Sequence, residues 1–488
     1  MTLGEVDYGL IGVVGGLVGF MAFFNGLMAT SVSRFYAFAV GQAHAATDTD
    51  AALDECRRWF NAAVTIHTVI PILSLVIGYP IGEWAVRHFL TIPPDRVEAC
   101  VWVFRITCLT CLVSMTAVPY HAMYTAKQEI AELTIYGFVT TTLNVIFLCY
   151  MVTHQADWFV RYVGWTAFLS VAPSLIITMR SFVKYQECRI VPEYFWDWKR
   201  IKSLVVYAGC RLLTSIATMC SFQGMTILVN KMLGPARNAA MAVGNNVASH
   251  TLSLSNALSS AMTPAITNAT GAGDLARVER LAYRANICSS LSVVVFALPL
   301  CLEIDKILDL WLKAPPAQTA SLCVLMLLAR YIDQLTVGQC LCVSALQNIG
   351  RFQAVGAVVC CIPLLIAFVY FSFGGDLSGV GWGFVMMYLV GDVQKLYFAK
   401  KMCNMSVTSW VQGVLVPMSV VVVLSMLVGV IVKTSMSPSL VRVFCTTAAV
   451  ESVLLLSSWK WLLAEDERNR ISAKVSGVIL MLRGVQKS

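Results

Sequence analysis

The chain has 488 residues, of which 58% are apolar and only 13% are charged, and its mean hydropathy is +0.73. Soluble domains carry roughly 25% charged residues, so this composition excludes an ordinary water-soluble enzyme or binding domain. The net charge of +8 does not indicate a nucleic-acid partner, because the basic residues lie scattered in the short connections between apolar stretches. We therefore expect a protein of the lipid bilayer that binds no nucleic acid.

About thirteen apolar stretches follow one another between residues 9 and 462, each long enough to cross a hydrocarbon core as a helix of roughly 20 residues. The connections between them are too short to fold as separate domains. The predicted fold class is therefore an all-α polytopic membrane protein with about thirteen transmembrane helices. In the third stretch the Cys108-x-x-Cys111 spacing resembles half of a metal site, but leucines flank it and no second pair accompanies it. We expect core packing there, no metal, no cofactor and no catalytic constellation.

If successive stretches cross the membrane in opposite directions, the connections between them fall on two sides, and the basic residues are divided unequally between these sides. One side collects pairs such as Arg57 with Arg58, Lys199 with Arg200 and Lys400 with Lys401, whereas the other side has few. The positive-inside rule therefore predicts a cytoplasmic C-terminus. With an odd number of crossings, the N-terminus then lies on the opposite, outer side of the membrane. One additional helix before the first stretch would place both ends in the cytoplasm, so we expect the chain to begin one helix late.

Two pairs of similar segments indicate an internal repeat. WAVRHFLTIPP at 84–94 resembles KILDLWLKAPP at 306–316, and TAKQEI at 125–130 resembles SALQNI at 344–349. An even number of crossings separates each motif from its counterpart, so the two copies of the repeat have the same orientation in the membrane. Such a parallel repeat predicts two pseudo-symmetric helical lobes around a central cavity. The predicted divisions are an N-lobe (1–183), a cytoplasmic amphipathic linker (184–202), a C-lobe (203–402), two additional transmembrane helices (403–465) and a cytoplasmic amphipathic tail (466–488).

The linker and the tail carry a mixed basic and apolar pattern. Residues 184–202 interleave basic side chains with Tyr194, Phe195, Trp196 and Trp198, which is typical of a helix at the headgroup boundary of an anionic leaflet. The tail has apolar residues at helical spacing and predicts the same arrangement. Either segment could equally contact a cytoplasmic partner.

Arginines inside the apolar stretches are candidates for substrate binding. Each costs roughly 2.5 to 3.5 kcal/mol at a helix centre, so Arg105, Arg211 and Arg330 should face a cavity or a partner. Arg34 is expected at the cavity edge. Asp333 stands three residues after Arg330, a spacing at which the two side chains should neutralise each other. Arg105 and Arg211 have no acidic residue at helical spacing, so we expect them to face an anion.

A polar stripe and two acids complete the set. Between 238 and 266, polar residues recur every three or four positions and predict one helix face that lines a cavity. The candidate contacts on this face are Asn246, Ser249, His250, Ser253 and Asn256. Asp333 and Asp392 are the deep acidic residues that could couple transport to an ion, although basic neighbours, Arg330 and Lys395, should neutralise them.

Two segments carry a family resemblance. DYGLIGVVGGLVGFMAFFNGLMATSVSRF at 7–35 resembles the second helix, and SALQNIGR at 344–351 the tenth-to-eleventh turn, of the polysaccharide-transporter branch of the multidrug, oligosaccharidyl-lipid and polysaccharide exporter superfamily. The resemblance implies a fourteen-helix fold of two six-helix lobes plus two helices, here without its first helix, that works by alternating access. It also implies that Arg34, Arg105 and Arg211 are the cationic cavity residues.

The resemblance predicts a flippase of undecaprenyl pyrophosphate-linked oligosaccharide in the bacterial inner membrane, serving polysaccharide or lipopolysaccharide biosynthesis. Arginines would hold the diphosphate and the polar stripe would receive sugar hydroxyls, with a glycan polymerase or glycosyltransferases as possible partners. The alternatives are a cation-coupled multidrug or small-molecule antiporter of the same superfamily, and a membrane scaffold for glycan assembly that does not transport.

Overall fold

The computed structural model describes residues 5–45, 49–90, 92–154, 157–312, 315–462 and 468–469. These residues form eighteen α-helices and four short π-helical or 3-10 segments, and none of them is in a β-strand. The helices are α1 (Glu5–Ala45), α2 (Thr49–Trp84), α3 (Val97–Ala126), α4 (Ile130–Thr153), α5 (Phe159–Lys184), α6 (Trp198–Leu233), α7 (Pro235–Thr251), α8 (Ser253–Gly271), α9 (Leu275–Leu302), α10 (Ile304–Leu312), α11 (Thr319–Gln334), α12 (Val337–Ser344), α13 (Gly350–Val359), α14 (Ile362–Ser372), α15 (Ser378–Cys403), α16 (Val407–Trp410), α17 (Val416–Ser435) and α18 (Leu440–Trp461).

Every apolar stretch of the sequence lies on these helices, either on one helix or on two consecutive ones such as α11 and α12. Among the described residues, nine helical stretches are long and apolar enough to cross a membrane, and the bent pair α11–α12 would make a tenth. The polar helices α7 and α8 and the charged helix α15 are not among the nine. The predicted fold class, an all-helical multi-pass membrane protein, is confirmed.

The first of two compact units comprises Met1–Leu212, Thr263–Arg277 and Ala345–Gly350. Within it α1, α2, α3 and α5 pack on one another around buried aromatic side chains such as Phe60 and Tyr124. The end of α8 belongs here because it crosses α1 at very short range. A Cβ atom on Gly41 would lie 2.0 Å from the carbonyl oxygen of Asn268, and one on Gly271 would lie 2.2 Å from that of Phe38.

The second unit comprises Leu213–Met262, Val278–Ser344 and Arg351–Ser488. Here α11 packs along α7 and α15, α14 packs on α15, and α17 packs on α18. A buried ion pair fixes α18 to the junction of α9 and α10, with Arg442 Nη2 2.7 Å from Glu303 Oε2. Thr446 also donates to this carboxylate at 3.0 Å. Glu303, whose side chain is 0% exposed, is therefore fully satisfied by α18.

The linker is not the helix that the sequence predicts. Residues 185–197 contain only two 3-10 turns, Gln186–Cys188 and Pro192–Tyr194. The reason is that α2 takes up the linker's backbone groups: Asn61 donates to the Arg189 carbonyl at 3.0 Å and accepts from the Val191 amide at 2.9 Å. Trp196 and Trp198 are 73% and 71% exposed, so the aromatic surface of the linker is accessible.

The structure also bears on the predicted helix at 238–266 and on the predicted tail from residue 466. The stretch 238–266 is not one helix, because α7 ends at Thr251 and α8 begins at Ser253 after a turn at Leu252. The predicted tail from 466 onward lies outside the described residues apart from 468–469. The lobe boundaries at 183, 202 and 402 stay predictions.

Candidate functional site

The break between α11 and α12 is a polar place in the interior of the second unit. The two helix axes differ by 49°, and Leu335 and Thr336 lie between them. A break frees backbone carbonyl groups, which must find other donors inside a membrane. Trp410 Nε1 donates to the Leu335 carbonyl at 2.8 Å, and Lys395 Nζ lies 3.4 Å from that of Asp333. Side chains from α15 and α16 thus stabilise the bend.

Four side chains at this bend form what we call the break cluster: Asp333, Thr336, Asp392 and Lys395. Lys395 Nζ lies 2.7 Å from Asp333 Oδ1, 3.1 Å from Asp392 Oδ1 and 3.2 Å from Thr336 Oγ1. The Thr336 hydroxyl donates to Asp392 Oδ1. The Lys395 ammonium therefore sits among oxygen atoms as a bound cation would.

The break cluster holds one positive charge against two carboxylates. The side chains of Asp392, Lys395 and Asp333 are 11%, 14% and 26% exposed, so all three charges are largely withdrawn from solvent. With both carboxylates ionised, the four side chains carry a formal net charge of −1, which one additional monovalent cation would balance. The arrangement is therefore suited to exchanging one positive charge.

The predicted neutralisation of Asp333 by Arg330 is wrong. Asp333 pairs with Lys395 of α15, whereas Arg330 donates to the hydroxyl of Tyr388 and lies 5.4 Å from the centre of its ring. Both partners come from α15, which packs along α11, so a spacing rule within α11 misses them. The predicted pairing of Asp392 with Lys395, three residues apart on α15, is present. Thr336 and Tyr388 gave no signal in the sequence.

The polar stripe of α7 and α8 lies on an accessible face. All five predicted members, Asn246, Ser249, His250, Ser253 and Asn256, are exposed in the second unit, while the opposite face of α7 packs on α11. The break at Leu252 interrupts the stripe without turning it inward. A face with five exposed amide, hydroxyl and imidazole side chains is suited to contact with water or with a polar ligand. Their role in substrate binding stays a prediction.

Arg34 lies in the first unit, where the protein itself engages its side chain. It is 4% exposed, its Nε donates to the Ala345 carbonyl at 2.8 Å, and its guanidinium lies 4.3 Å from the centre of the Phe35 ring. These contacts hold the turn that follows α12 through Nε and Nη2, whereas Nη1 of Arg34 is buried without a hydrogen-bond partner. A substrate contact by Arg34 stays a prediction.

Arg105 has the acidic partner that spacing along α3 could not reveal. Its Nη2 lies 2.9 Å from Oε1 of Glu83, at the end of α2, and this carboxylate also binds Arg87 at 3.2 Å. Arg211 lies half-buried on α6 in the same unit. The anion-facing roles of Arg105 and Arg211 stay predictions. For Arg105 the prediction was based on the absence of an acidic residue at helical spacing, and the ion pair with Glu83 removes that basis.

Comparisons with known proteins bear on this architecture. The MatE family model matches residues 212–371, about a third of the chain. No curated protein matches the chain. Among solved structures, "MATE in the bent conformation" is similar at a TM-score of 0.62 and 13% identity, covering 83% of this chain and 90% of the other.

Two further structures agree. An outward-facing multidrug resistance MATE family transporter of the MOP superfamily has a TM-score of 0.58 at 14% identity, covering 82% of this chain and 89% of the other. The MATE transporter ClbM in complex with Rb⁺ has a TM-score of 0.59 at 14% identity, covering 83% and 89%. At these identities the likeness establishes the fold. The chain is thus a multi-pass membrane protein with the fold of MATE transporters.

Proposed function

We propose that the protein is an exporter of small organic cations, works by alternating access, and exchanges its substrate for a proton at the break cluster. The observation that carries this proposal is the single ammonium of Lys395 shared by Asp333 and Asp392 at a bent helix. The fold supports transport, since a solved structure of similar fold is a multidrug resistance transporter. We place it in the bacterial inner membrane with a cytoplasmic C-terminus.

The proton acts on Asp392 in this mechanism. Asp392 is the most enclosed acid of the break cluster and accepts hydrogen bonds from both Thr336 and Lys395. Protonation removes its negative charge, so Lys395 is left paired with Asp333 alone and the α11–α12 bend loses one of its ties. A change in the bend then biases the protein between its two orientations in the membrane.

Everted membrane vesicles test this proposal through the uptake of ethidium driven by respiration. Asp392→Asn mimics the protonated state and should reduce proton-driven uptake by at least about tenfold, because it removes the exchangeable charge. Glu451→Gln is the matched control, since Glu451 is a partly buried acid on α18 of the same unit and no member of the break cluster. It should retain uptake close to that of the native chain.

Equal uptake by the native chain and Asp392→Asn, at equal amounts of protein, would contradict the proposal. Uptake that follows a sodium gradient and ignores a pH gradient would replace the proton with an alkali cation. That alternative has some basis, because ClbM, of similar fold, was solved in complex with Rb⁺.

The second candidate is the flippase of undecaprenyl pyrophosphate-linked oligosaccharide. The exposed row of amides and hydroxyls on α7 and α8 favours it, because sugar hydroxyls need such partners. A glycan polymerase or glycosyltransferases would then be its partners. The arginines favour it less, since protein groups already engage Arg34, Arg105 and Arg330.

Lipid-linked glycan in a deletion strain separates the two candidates. Accumulation of the intermediate, reversed by the native chain and not by Asn246→Ala with Asn256→Ala, would support the flippase. Unchanged glycan in a strain without redundant flippases would leave the cation exporter.

A further inference from the structure

A groove lies between α2 and α3 on an exposed face of the first unit. Its volume is about 390 Å³, and its walls include Leu75, Val76, Leu109 and Leu112. Val76 and Leu109 are 66% and 61% exposed, so apolar side chains are open to the surroundings. Both helices are long and apolar enough to cross a membrane, and an exposed apolar face on such a span suits contact with lipid.

One end of the groove is polar. Arg105 and Tyr79 line it there, and Nη2 of Arg105 pairs with Glu83 at 2.9 Å. The Nε atom of Arg105 is buried and has no hydrogen-bond partner. A guanidinium carries five N–H donors in a planar fork, and a buried donor without an acceptor is costly. The buried Nε is out of reach of a ligand, but the Arg105 side chain as a whole is 38% exposed, so part of its guanidinium is accessible from the groove.

Aromatic side chains mark this end as close to the membrane surface. Trp84 and Trp102 are 58% and 55% exposed, and the Arg105 guanidinium lies 5.4 Å from the centre of the Trp102 ring. Exposed tryptophan is typical of the headgroup level. Arg105 lies about 12 Å along α3 from its start at Val97, and helical side chains lean toward the N-terminus, so its charge reaches toward that level.

We propose that this groove binds one phospholipid of the surrounding bilayer, with an acyl chain along the apolar walls and the phosphate on Arg105. Arg105 is the charged residue that lines the groove, and it remains 38% exposed although it pairs with Glu83. An amphiphile with an anionic end matches an apolar groove that ends at such an arginine. Phosphate oxygens would accept from the guanidinium donors that Glu83 does not use. The site is separate from the break cluster, which lies in the other unit, and does not depend on the transport proposal.

The test measures the thermal unfolding of the full-length chain in detergent during titration with dioleoyl phosphatidylglycerol. Dioleoylglycerol, which has the same acyl chains and no phosphate, is the comparison lipid. For the native chain we expect stabilisation that saturates with the phospholipid and is about tenfold weaker in apparent affinity with dioleoylglycerol, because a charge-assisted hydrogen bond is lost.

Two variants assign the effect to the groove. Arg105→Met should remove the preference for the phospholipid, whereas Arg87→Met should keep it, since Arg87 shares Glu83 without lining the groove. Leu109→Trp, which keeps Arg105 and fills the groove, should abolish the response to both lipids. An unchanged preference in Arg105→Met, an equal loss in Arg87→Met, or a native response in Leu109→Trp would each overturn the proposal.

Discussion

Lys395 is the residue on which the charge balance of the break cluster depends. It is one ammonium between Asp333 and Asp392, and the side chains of all three are mostly buried. Removing one partner from a buried ionic group leaves uncompensated charge, which is far more costly than removing the whole group. The stability of the unit should therefore respond to Lys395 and Asp392 in a non-additive way.

Lys395→Met should destabilise the protein by about 3 to 5 kcal/mol, because it strands two carboxylates, and Asp392→Asn added to it should restore part of the loss. The measurement is the thermal unfolding midpoint in detergent of the native chain, both single variants and the double variant. Lys401→Met, on the exposed part of the same helix, is the control and should be nearly neutral. Simple additivity of the two single effects would refute the shared-charge interpretation.

Sequence alone located several charged residues of the interior and predicted the pair of Asp392 with Lys395, but it misjudged the partners of Arg105 and Asp333. Arg105 stood without an acidic residue at helical spacing, yet Glu83 lies 22 positions away on α2 and pairs with it. Asp333 had Arg330 at the right spacing, yet it pairs with Lys395 from α15. Local spacing captures contacts within one helix, whereas ion pairs between helices depend on packing that one sequence does not encode locally.

At the level of helices, the two repeat motifs occupy equivalent places. WAVRHFLTIPP begins at the last residue of α2, continues through a π-helical segment at Ala85–Phe89 and precedes α3, and KILDLWLKAPP begins within α10 and precedes α11. The helices that follow the two motifs differ: α3 is one continuous helix, whereas α11 and α12 are separated by a 49° bend. Leu335 and Thr336 are not helix breakers, so the bend was not predictable. Contacts from Trp410 and Lys395 maintain it.

The crossing of α1 with the end of α8 should tolerate no side chain at Gly41. Gly41→Ala would place its Cβ 2.0 Å from the Asn268 carbonyl oxygen, and separating the helices should cost about 1 to 3 kcal/mol. Gly26 lies on the same helix with no atom within 4 Å of an added Cβ, so Gly26→Ala should be neutral or slightly stabilising. Unfolding in a denaturing detergent, followed by circular dichroism, measures both. Equal stability of the two variants would contradict the close crossing.

The attachment of α18 should depend on Glu303. Arg442→Met leaves a fully buried carboxylate with only Thr446 as a side-chain partner, and we expect a loss of about 3 to 5 kcal/mol. Arg58→Met breaks an exposed pair with Asp54 and serves as the control with little effect. Limited proteolysis after residue 403 reports on the attachment. Cleavage no faster in Arg442→Met than in Arg58→Met would count against this role.

Across the described residues, hydropathy predicted the class of protein and most helical stretches, because the bilayer imposes length and composition on any span. Nine or ten of the described stretches are long and apolar enough to cross a membrane, where the sequence predicted about thirteen. Hydropathy did not predict the turn at Leu252 or the 3-10 turns of the linker. The latter form because Asn61 and Thr65 of α2 bind linker backbone groups, which is tertiary information. The substrate is decided by groups at particular sites, so the family resemblance alone could not choose between an anionic glycolipid and an organic cation.

The most direct test of the central claim is proton exchange by the purified chain in liposomes that contain a pH-sensitive dye. Addition of ethidium on one side should move protons in the opposite direction in the native chain and in Glu451→Gln. No proton movement should occur in Asp392→Asn, even if that variant still lets ethidium equilibrate. Proton movement of native size in Asp392→Asn, or ethidium transport by the native chain without any proton movement, would contradict the account.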